Sequence, residues 1–232
     1  MARFLNHEPC PKCGSRDNLA VYDDGSAWCF GCRYYRHPLR RIPSNIRSRA
    51  PKQAYFNDWV AELPPLNRAW LEQYGLSEQE ISSFRYSGHY DRHIYAVCDS
   101  SGEVIFFEAR SVSQQPKALS HGEKPIHFPC QPVSRTTTRT ECIVVVEDLV
   151  SAIRVGRHVP CIPLWGSSLS KDWYPYLKGL THNIIFWLDN DKYPEAIKQA
   201  RLAGLYGFGT RVIRTEKDPK ELTDTEIIEA LE

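Results

Sequence analysis

Cys142-Ile143-Val144-Val145-Val146-Glu147-Asp148 is an apolar run rich in β-branched residues that stops on two acids. A continuous run of this kind is what a parallel strand buried on both faces requires. A helical pattern follows at once, with Leu149, Val150, Ala152, Ile153 and Val155. Pro160 to Leu164 reads as a second strand, and Asp172 to Leu180 as a helix despite Pro175. Asn183 to Leu188 is a third strand, and Pro194 opens a helix that ends near Gly204 or Gly207. Thr210 to Arg214 is a fourth strand. This β-α-β-α-β-α-β order implies an α/β fold, a parallel sheet with helices on both faces.

Sites in open α/β sheets form beyond the carboxyl ends of the strands, and acids stand at those positions here. Glu147 ends the first strand, Asp189-Asn190-Asp191 ends the third, and Asp218 follows the fourth in Asp218-Pro219-Lys220-Glu221. Carboxylates gathered at one edge repel each other unless cations lie between them, and hard oxygen ligands suit Mg²⁺ or Mn²⁺. Any one of these acids is as readily a helix cap or a turn residue. Asp191, before the Pro194 helix, and Asp148, at the start of another, both fit that simpler role. The set at successive strand ends is what points to metal at Glu147, Asp189 and Asp191, with Asp218 as a further ligand. The small-residue turn Trp165-Gly166-Ser167-Ser168 either lets backbone approach a phosphate or metal, or simply joins a strand to a helix.

Upstream, residues 55 to about 139 read as an α+β subdomain. Pro65 opens one helix and Ser77-Glu78-Gln79-Glu80 is a capping box for another. His93 to Cys98 and Glu103 to Glu108 form a hairpin around Asp99-Ser100-Ser101-Gly102. A polar stretch from Ser111 to Lys124 follows; it carries Lys117 and Lys124, with Arg110 just before it.

At the front, Cys10-Pro11-Lys12-Cys13 and Cys29-Phe30-Gly31-Cys32 are two CxxC knuckles fifteen residues apart. That is the spacing of a closed four-cysteine zinc site. Leu19 to Tyr22 and Ser26 to Trp28 flank the turn signal Asp23-Asp24-Gly25, so the connection reads as a ribbon hairpin. Gly14 and Gly31 stand where a knuckle needs permissive backbone. Residues 38 to 54 form a basic, proline-interrupted linker within a run from Arg33 to Lys52 that contains no acid. Beside a zinc ribbon, such a run suggests phosphate contact, and Trp28, Tyr34 and Tyr35 could stack on bases.

The 232 residues are 42% hydrophobic and 25% charged with net charge +1, a globular composition with no apolar run long enough for a membrane span. The first residues lack a signal-peptide h-region. Eight cysteines without an export signal predict reduced thiols in the cytoplasm. Cys98, Cys130, Cys142 and Cys161 are then expected to be small core residues.

Taken together, the strand ending in Glu147, the Gly-containing loop after the next strand and the later Asp-x-Asp resemble the Toprim fold of DnaG-type primases, topoisomerases, certain nucleases and RecR-type repair proteins. With the four-cysteine ribbon and basic tether, the chain resembles phage and bacterial primases. It is most similar to the primase half of short-tailed phage primase–helicase proteins. The segments that carry this likeness are Cys10 to Leu19, Tyr22 to Gly25, Trp28 to Cys32, Val146 to Asp148, Leu188 to Asp191 and Lys217 to Pro219.

The resemblance implies a zinc ribbon over 1–37, a linker over 38–54 and an RNA polymerase domain over 55–232, with its Toprim part at 140–221. It implies a primase, a nucleotidyltransferase that makes short RNA primers from ribonucleoside triphosphates on single-stranded DNA. Catalysis would rest on Glu147, Asp189 and Asp191 holding Mg²⁺ or Mn²⁺, with Arg110, Lys117 and Lys124 contacting template or nucleotide. The zinc ribbon, through Trp28, Arg33 and Tyr34, would read a short template start site.

Many family members carry Gly after the strand-ending Glu and Asp four residues after it; here those places hold Asp148 and Ser151. No GxxxxGK(S/T) loop occurs, so the helicase half is either a separate protein or a part of a longer chain that this sequence does not include; the resemblance implies a separate replicative helicase and a DNA polymerase as partners. Rival readings are a non-enzymatic RecR-like zinc and Toprim repair protein, a Toprim nuclease and a DNA-binding module without turnover.

Overall fold

The computed structural model describes residues 3–22, 26–36, 58–130 and 140–232. The turn at 23–25 and the linker at 38–54 lie outside the described residues. The chain divides into two compact units, Met1–Ser48 and Arg49–Glu232.

The first unit is an antiparallel sheet of β1 (Phe4–Glu8), β2 (Leu19–Tyr22), β3 (Ala27–Cys29) and β4 (Tyr35–Arg36), in that spatial order. β2 and β3 pair as the ribbon hairpin expected, with Leu19 opposite Cys29. β1 carries no alternating pattern and is mostly exposed, so its sequence gives no strand signal; pairing with β2 makes it one. Leu19, Val21, Ala27, Cys10 and Cys29 form the small core.

The second unit opens with β5 (Trp59–Val60), α1 (Pro65–Glu72), α2 (Glu78–Ile81), β6 (Phe84–Ser87), β7 (Arg92–Cys98), β8 (Val104–Arg110) and β9 (Ala118–Gly122). The five strands form one antiparallel sheet in sequence order. Ser77 and Glu80 complete a reciprocal capping box at α2. The β7–β8 turn is closed by the Asp99 carboxylate, which accepts from the N–H groups of Ser101 and Glu103 at 2.8 and 3.0 Å. β9 is the departure from the sequence reading, since it lies inside the polar Ser111–Lys124 stretch. Ala118-Leu-Ser-His-Gly122 is a half-exposed edge strand, recruited by the ladder of β8 rather than by its own composition.

The chain then continues through β10 (Ile143–Val146), α3 (Leu149–Gly156), β11 (Cys161–Pro163), α4 (Tyr174–Leu180), β12 (Asn183–Phe186), α5 (Tyr193–Leu205), β13 (Gly209–Val212) and α6 (Asp224–Leu231). The four strands are parallel, in the order β11-β10-β12-β13. Alternate residues of each strand face opposite ways. Ile143, Val145, Ile184 and Phe186 pack with α4 and α5, and Val144, Val146, Ile185 and Trp187 pack with α3 and α6. Helices therefore cover both faces, as the β-α alternation implies. α6 was not anticipated, although Thr223 and Glu226 form its capping box.

Every residue of α3 is buried. Leu149, Val150 and Ile153 pack with Leu71, Phe84 and Phe106 of the antiparallel part and with Trp165 of the loop after β11, while Ala152 and Val155 pack on the parallel sheet. Arg154 donates to the carbonyls of Tyr74 and Leu222 at 3.0 and 2.8 Å, and Arg157 pairs with Glu80 through two nitrogens at 2.9 and 2.6 Å. These contacts make the two sheets one unit. Of the four remaining cysteines, Cys161 is buried and Cys130 and Cys142 half-buried, but Cys98 is exposed, because it ends β7 beside the hairpin turn.

Ile153→Ala empties a site in the α3 seam and should cost about 2–5 kcal/mol. The check is urea denaturation, in which both sheets lose structure in one shifted transition; separate transitions for the two sheets would contradict the shared seam.

Candidate active site and zinc ribbon

The four ribbon cysteines form a cluster whose sulfurs all lie within 4.8 Å of one another. Cys10 Sγ stands 3.7 Å from Cys32 Sγ, and Cys13 Sγ 3.7 Å from Cys29 Sγ. A tetrahedron of sulfurs about 2.3 Å from zinc has edges of about 3.8 Å, so the donor set fits a structural Zn²⁺. Disulfides are excluded, since bonded sulfurs stand about 2.05 Å apart. Gly14 takes φ +69°, which its knuckle needs and an L side chain resists. Gly31 has no positive φ; it is small because a Cβ there would stand 3.1 Å from the Asn18 side chain. The backbone N–H of Ser15 leads the interactions that draw the Cys13 thiol down to about 6, toward the thiolate a metal requires.

The three ribbon residues expected to read template lie in different settings. Trp28 is half-buried and faces Tyr35 at 6.2 Å between ring centroids. Arg33 is exposed, with its backbone held at φ +58° as it leaves the second knuckle. Tyr34 packs against the ribbon core.

In the second unit the acids come to the carboxyl edge of the parallel sheet, as the strand order requires. β10 and β12 are neighbours, so Glu147 and Asp189 follow adjacent strand ends. Asp191 sits in a 3-10 turn, Asn190–Lys192, where it is exposed and paired with Lys192 at 2.8 Å. Asp218 caps a second such turn, Pro219–Glu221. Asp148 is the N-cap of α3, accepting from Ser151 N–H at 3.0 Å, the simpler role open to it in the sequence. Among the described residues the only group of three or more ligand atoms within 4.8 Å is that of the cysteines. The acids share an edge without collapsing onto one point.

The residue absent from the sequence reading is Lys220. It is 7% exposed, and its ammonium lies 2.9 Å from Asp148 Oδ2, 3.2 Å from Asp189 Oδ2 and 3.2 Å from Asp218 Oδ2. The signal in the sequence is the motif Asp218-Pro219-Lys220-Glu221, which places a lysine two residues after the acid that follows the fourth strand.

Charge sets the ionisation of the edge. Burial would raise the Asp148 carboxyl, but the Lys220 ammonium and the Ser151 N–H outweigh it and hold it low. Asp189 goes the other way, to about 7, because burial and the carboxylates of Asp148, Asp218 and Glu147 exceed what a shared ammonium returns. Glu147 is also raised, chiefly by burial. Glu147 Oε2 and Asp189 Oδ1 are buried and have no hydrogen-bond partner. Desolvated acceptors without donors are costly.

The basic residues divide. Arg110 lies over the Trp70 ring at 4.9 Å and lines a small void with Glu108, His93 and Asp148. Lys117 is exposed beside Ala118, the cross-strand partner of Arg110, so these two share one end of the antiparallel sheet. Lys124 lies past the other end of β9 and donates to the Trp165 carbonyl. Trp165 takes φ +53° and Gly166 N–H donates to the Glu147 carbonyl at 3.3 Å, so the loop after β11 folds back beside the acid edge. Glu108, not singled out in the sequence, is buried next to Arg110; burial pushes it up to about 7, with Asp148 adding and Arg110 and Lys124 opposing. No helix among the described residues is long and apolar enough to cross a membrane.

A four-cysteine ribbon, an antiparallel sheet and an acid-edged parallel sheet make up a fold that solved primase structures share. The primase fragment of the bacteriophage T7 primase-helicase protein superposes with TM-score 0.54 at 19% identity, covering 99% of this chain and 100% of that one. The E. coli primase catalytic core gives TM-score 0.56 at 20% identity over 72% of each chain. The Aquifex aeolicus primase zinc-binding and RNA polymerase domains give 0.55 at 13%, over 97% of this chain and 77% of that one. In sequence, a DNA helicase/primase of Enterobacteria phage T3 is 48% identical over 47 residues, 20% of this chain and only 7% of that protein. No protein-family model matches.

Two outcomes are expected. The folded state keeps the Glu108 proton between pH 4.5, its ordinary value, and about 7, where the unfolded chain has lost it. Stability present below 4.5 is therefore lost as pH rises to 7, by roughly 3 kcal/mol. Glu108→Gln should remove that share of the slope and leave the share due to Asp189, which titrates over the same range, and urea titrations across it will show the difference. Replacing Cys29 by Ser should remove zinc and unfold the ribbon, since small metal-centred ribbons depend on their ion; colorimetric zinc release checks this, and full zinc retention would refute the ligand assignment.

Proposed function

We propose that this protein is a DNA primase, a DNA-directed RNA polymerase that builds short RNA primers on single-stranded DNA. The observation that carries the reading is the pair of buried, partnerless oxygens of Glu147 and Asp189 at adjacent strand ends of a primase-type fold. Glu147 and Asp189, with Asp191 and Asp218 beside them, are the residues that would hold Mg²⁺ or Mn²⁺. Such an ion supplies a lowered hydroxyl pKa and neutralises charge on the reacting phosphate.

The reaction is the attack of a nucleotide 3′-hydroxyl on the α-phosphorus of the next ribonucleoside triphosphate, with pyrophosphate leaving. Arg110, Lys117 and Lys124 offer the positive charge that a triphosphate and a template backbone demand. Arg110 is the best placed of them: its guanidinium is held against the Trp70 ring beside Asp148, so little ordering remains to be done on binding. Asp191 is exposed and Lys192 half-buried, and both are within electrostatic reach of Glu147. In the ribbon, Trp28, Arg33 and Tyr34 would read a short start site on the template by stacking and phosphate contact. The cytoplasm, a separate replicative helicase and a DNA polymerase complete this reading.

Incubation with ribonucleotides, Mg²⁺ or Mn²⁺ and mixed-sequence single-stranded DNA tests it. Short RNA products are expected; cleaved DNA would make the same edge a nuclease, and DNA binding without products would favour a RecR-like or purely binding role. Asp189→Ala should lower primer synthesis by about 10²-fold or more while the protein stays folded. Full activity in that variant would remove the site assignment.

A further inference from the structure

Lys220 is built in rigidly. Pro219 fixes the backbone before it, and the Asp218–Glu221 capping box closes the short turn that carries it. Its ammonium has three N–H donors, and three different carboxylates stand 2.9, 3.2 and 3.2 Å from it. Two of those donors bond Asp148 and Asp189, and the Asp218 carboxylate pairs with the ammonium at 3.2 Å, so the charge is enclosed by acids rather than offered to a nucleotide phosphate. A divalent ion shared by Asp148, Asp189 and Asp218 would have to stand where the ammonium stands, because such an ion needs those same oxygens at about 2.0–2.1 Å. The oxygens that Lys220 does not reach and that have no partner are Asp189 Oδ1 and Glu147 Oε2.

We propose that Lys220 is a tethered cation that takes the place of one divalent ion at the acid edge, leaving a single ion position at Glu147 and Asp189. It is a positioning residue: one oxygen of Asp189 is held by the ammonium and the other faces the remaining ion position. The proposal rests on the polymerase reading of this edge, but it concerns how many ions the edge accepts rather than which reaction follows.

The test is Mn²⁺ titration of the full, zinc-loaded chain, read by electron paramagnetic resonance and calorimetry. The wild type should bind one Mn²⁺ per chain; two, or none, overturns the proposal. Lys220→Met should bind one more Mn²⁺ than the wild type, and Mn²⁺ should raise its Tm by more. A folded Lys220→Met with unchanged stoichiometry overturns the proposal. If the variant is unfolded without metal, Mn²⁺ should restore the fold, and failure to restore it also counts against the proposal. Primer synthesis by the same preparation separates the two readings: primers with two Mn²⁺ on the wild type sink the Lys220 role alone, whereas one Mn²⁺ without primers sinks the polymerase alone.

Discussion

The burial of α3 is the constraint from which the second unit follows. A helix with no solvent face must be apolar on both sides, and Leu149-Val-Ser-Ala-Ile-Arg-Val-Gly156 supplies this, with one set of side chains for each sheet. Its N-terminus still needs a cap, and Asp148 provides one inside the protein. A buried carboxylate is tolerable only when paired. Lys220 is the partner, brought from 72 residues downstream by the turn after β13. The packing of a helix thus dictates a charge, and that charge dictates the countercharge.

That pairing divides the acids. Asp148 is stabilised as an anion, while Asp189, which shares the same ammonium, and Glu147, one residue before the cap, are pushed the other way. Environments that separate the ionisation of neighbouring groups are how one site acquires distinct acid and base roles. The two partnerless oxygens lower the stability of the fold, a cost of the kind that functional sites carry. Glu108 extends the same unfavourable burial toward Arg110, so basic and acidic side chains meet along the seam between the sheets.

Elements whose pattern is local were legible. β10 and β12 are continuous apolar runs, α2 has its capping box, and the β7–β8 turn has Asp99 and Gly102. Each is determined by interactions within a few residues. β1 and β9 were not legible, because polar, half-exposed segments become strands only when a neighbouring ladder offers hydrogen bonds. Cys98 is exposed where a core residue is expected, because its strand is buried only up to Val97, before the turn.

The sequence by itself determined the ribbon ligands, since CxxC spacing constrains four sulfurs through short loops, and the order of acids along the sheet edge, since strand ends in an α/β fold face one way. Only the tertiary structure decided which acids stay charged and which are left without a partner. Those properties depend on burial and on an ammonium whose position no local rule specifies, because electrostatic energy follows distance and dielectric in space and not separation along the chain.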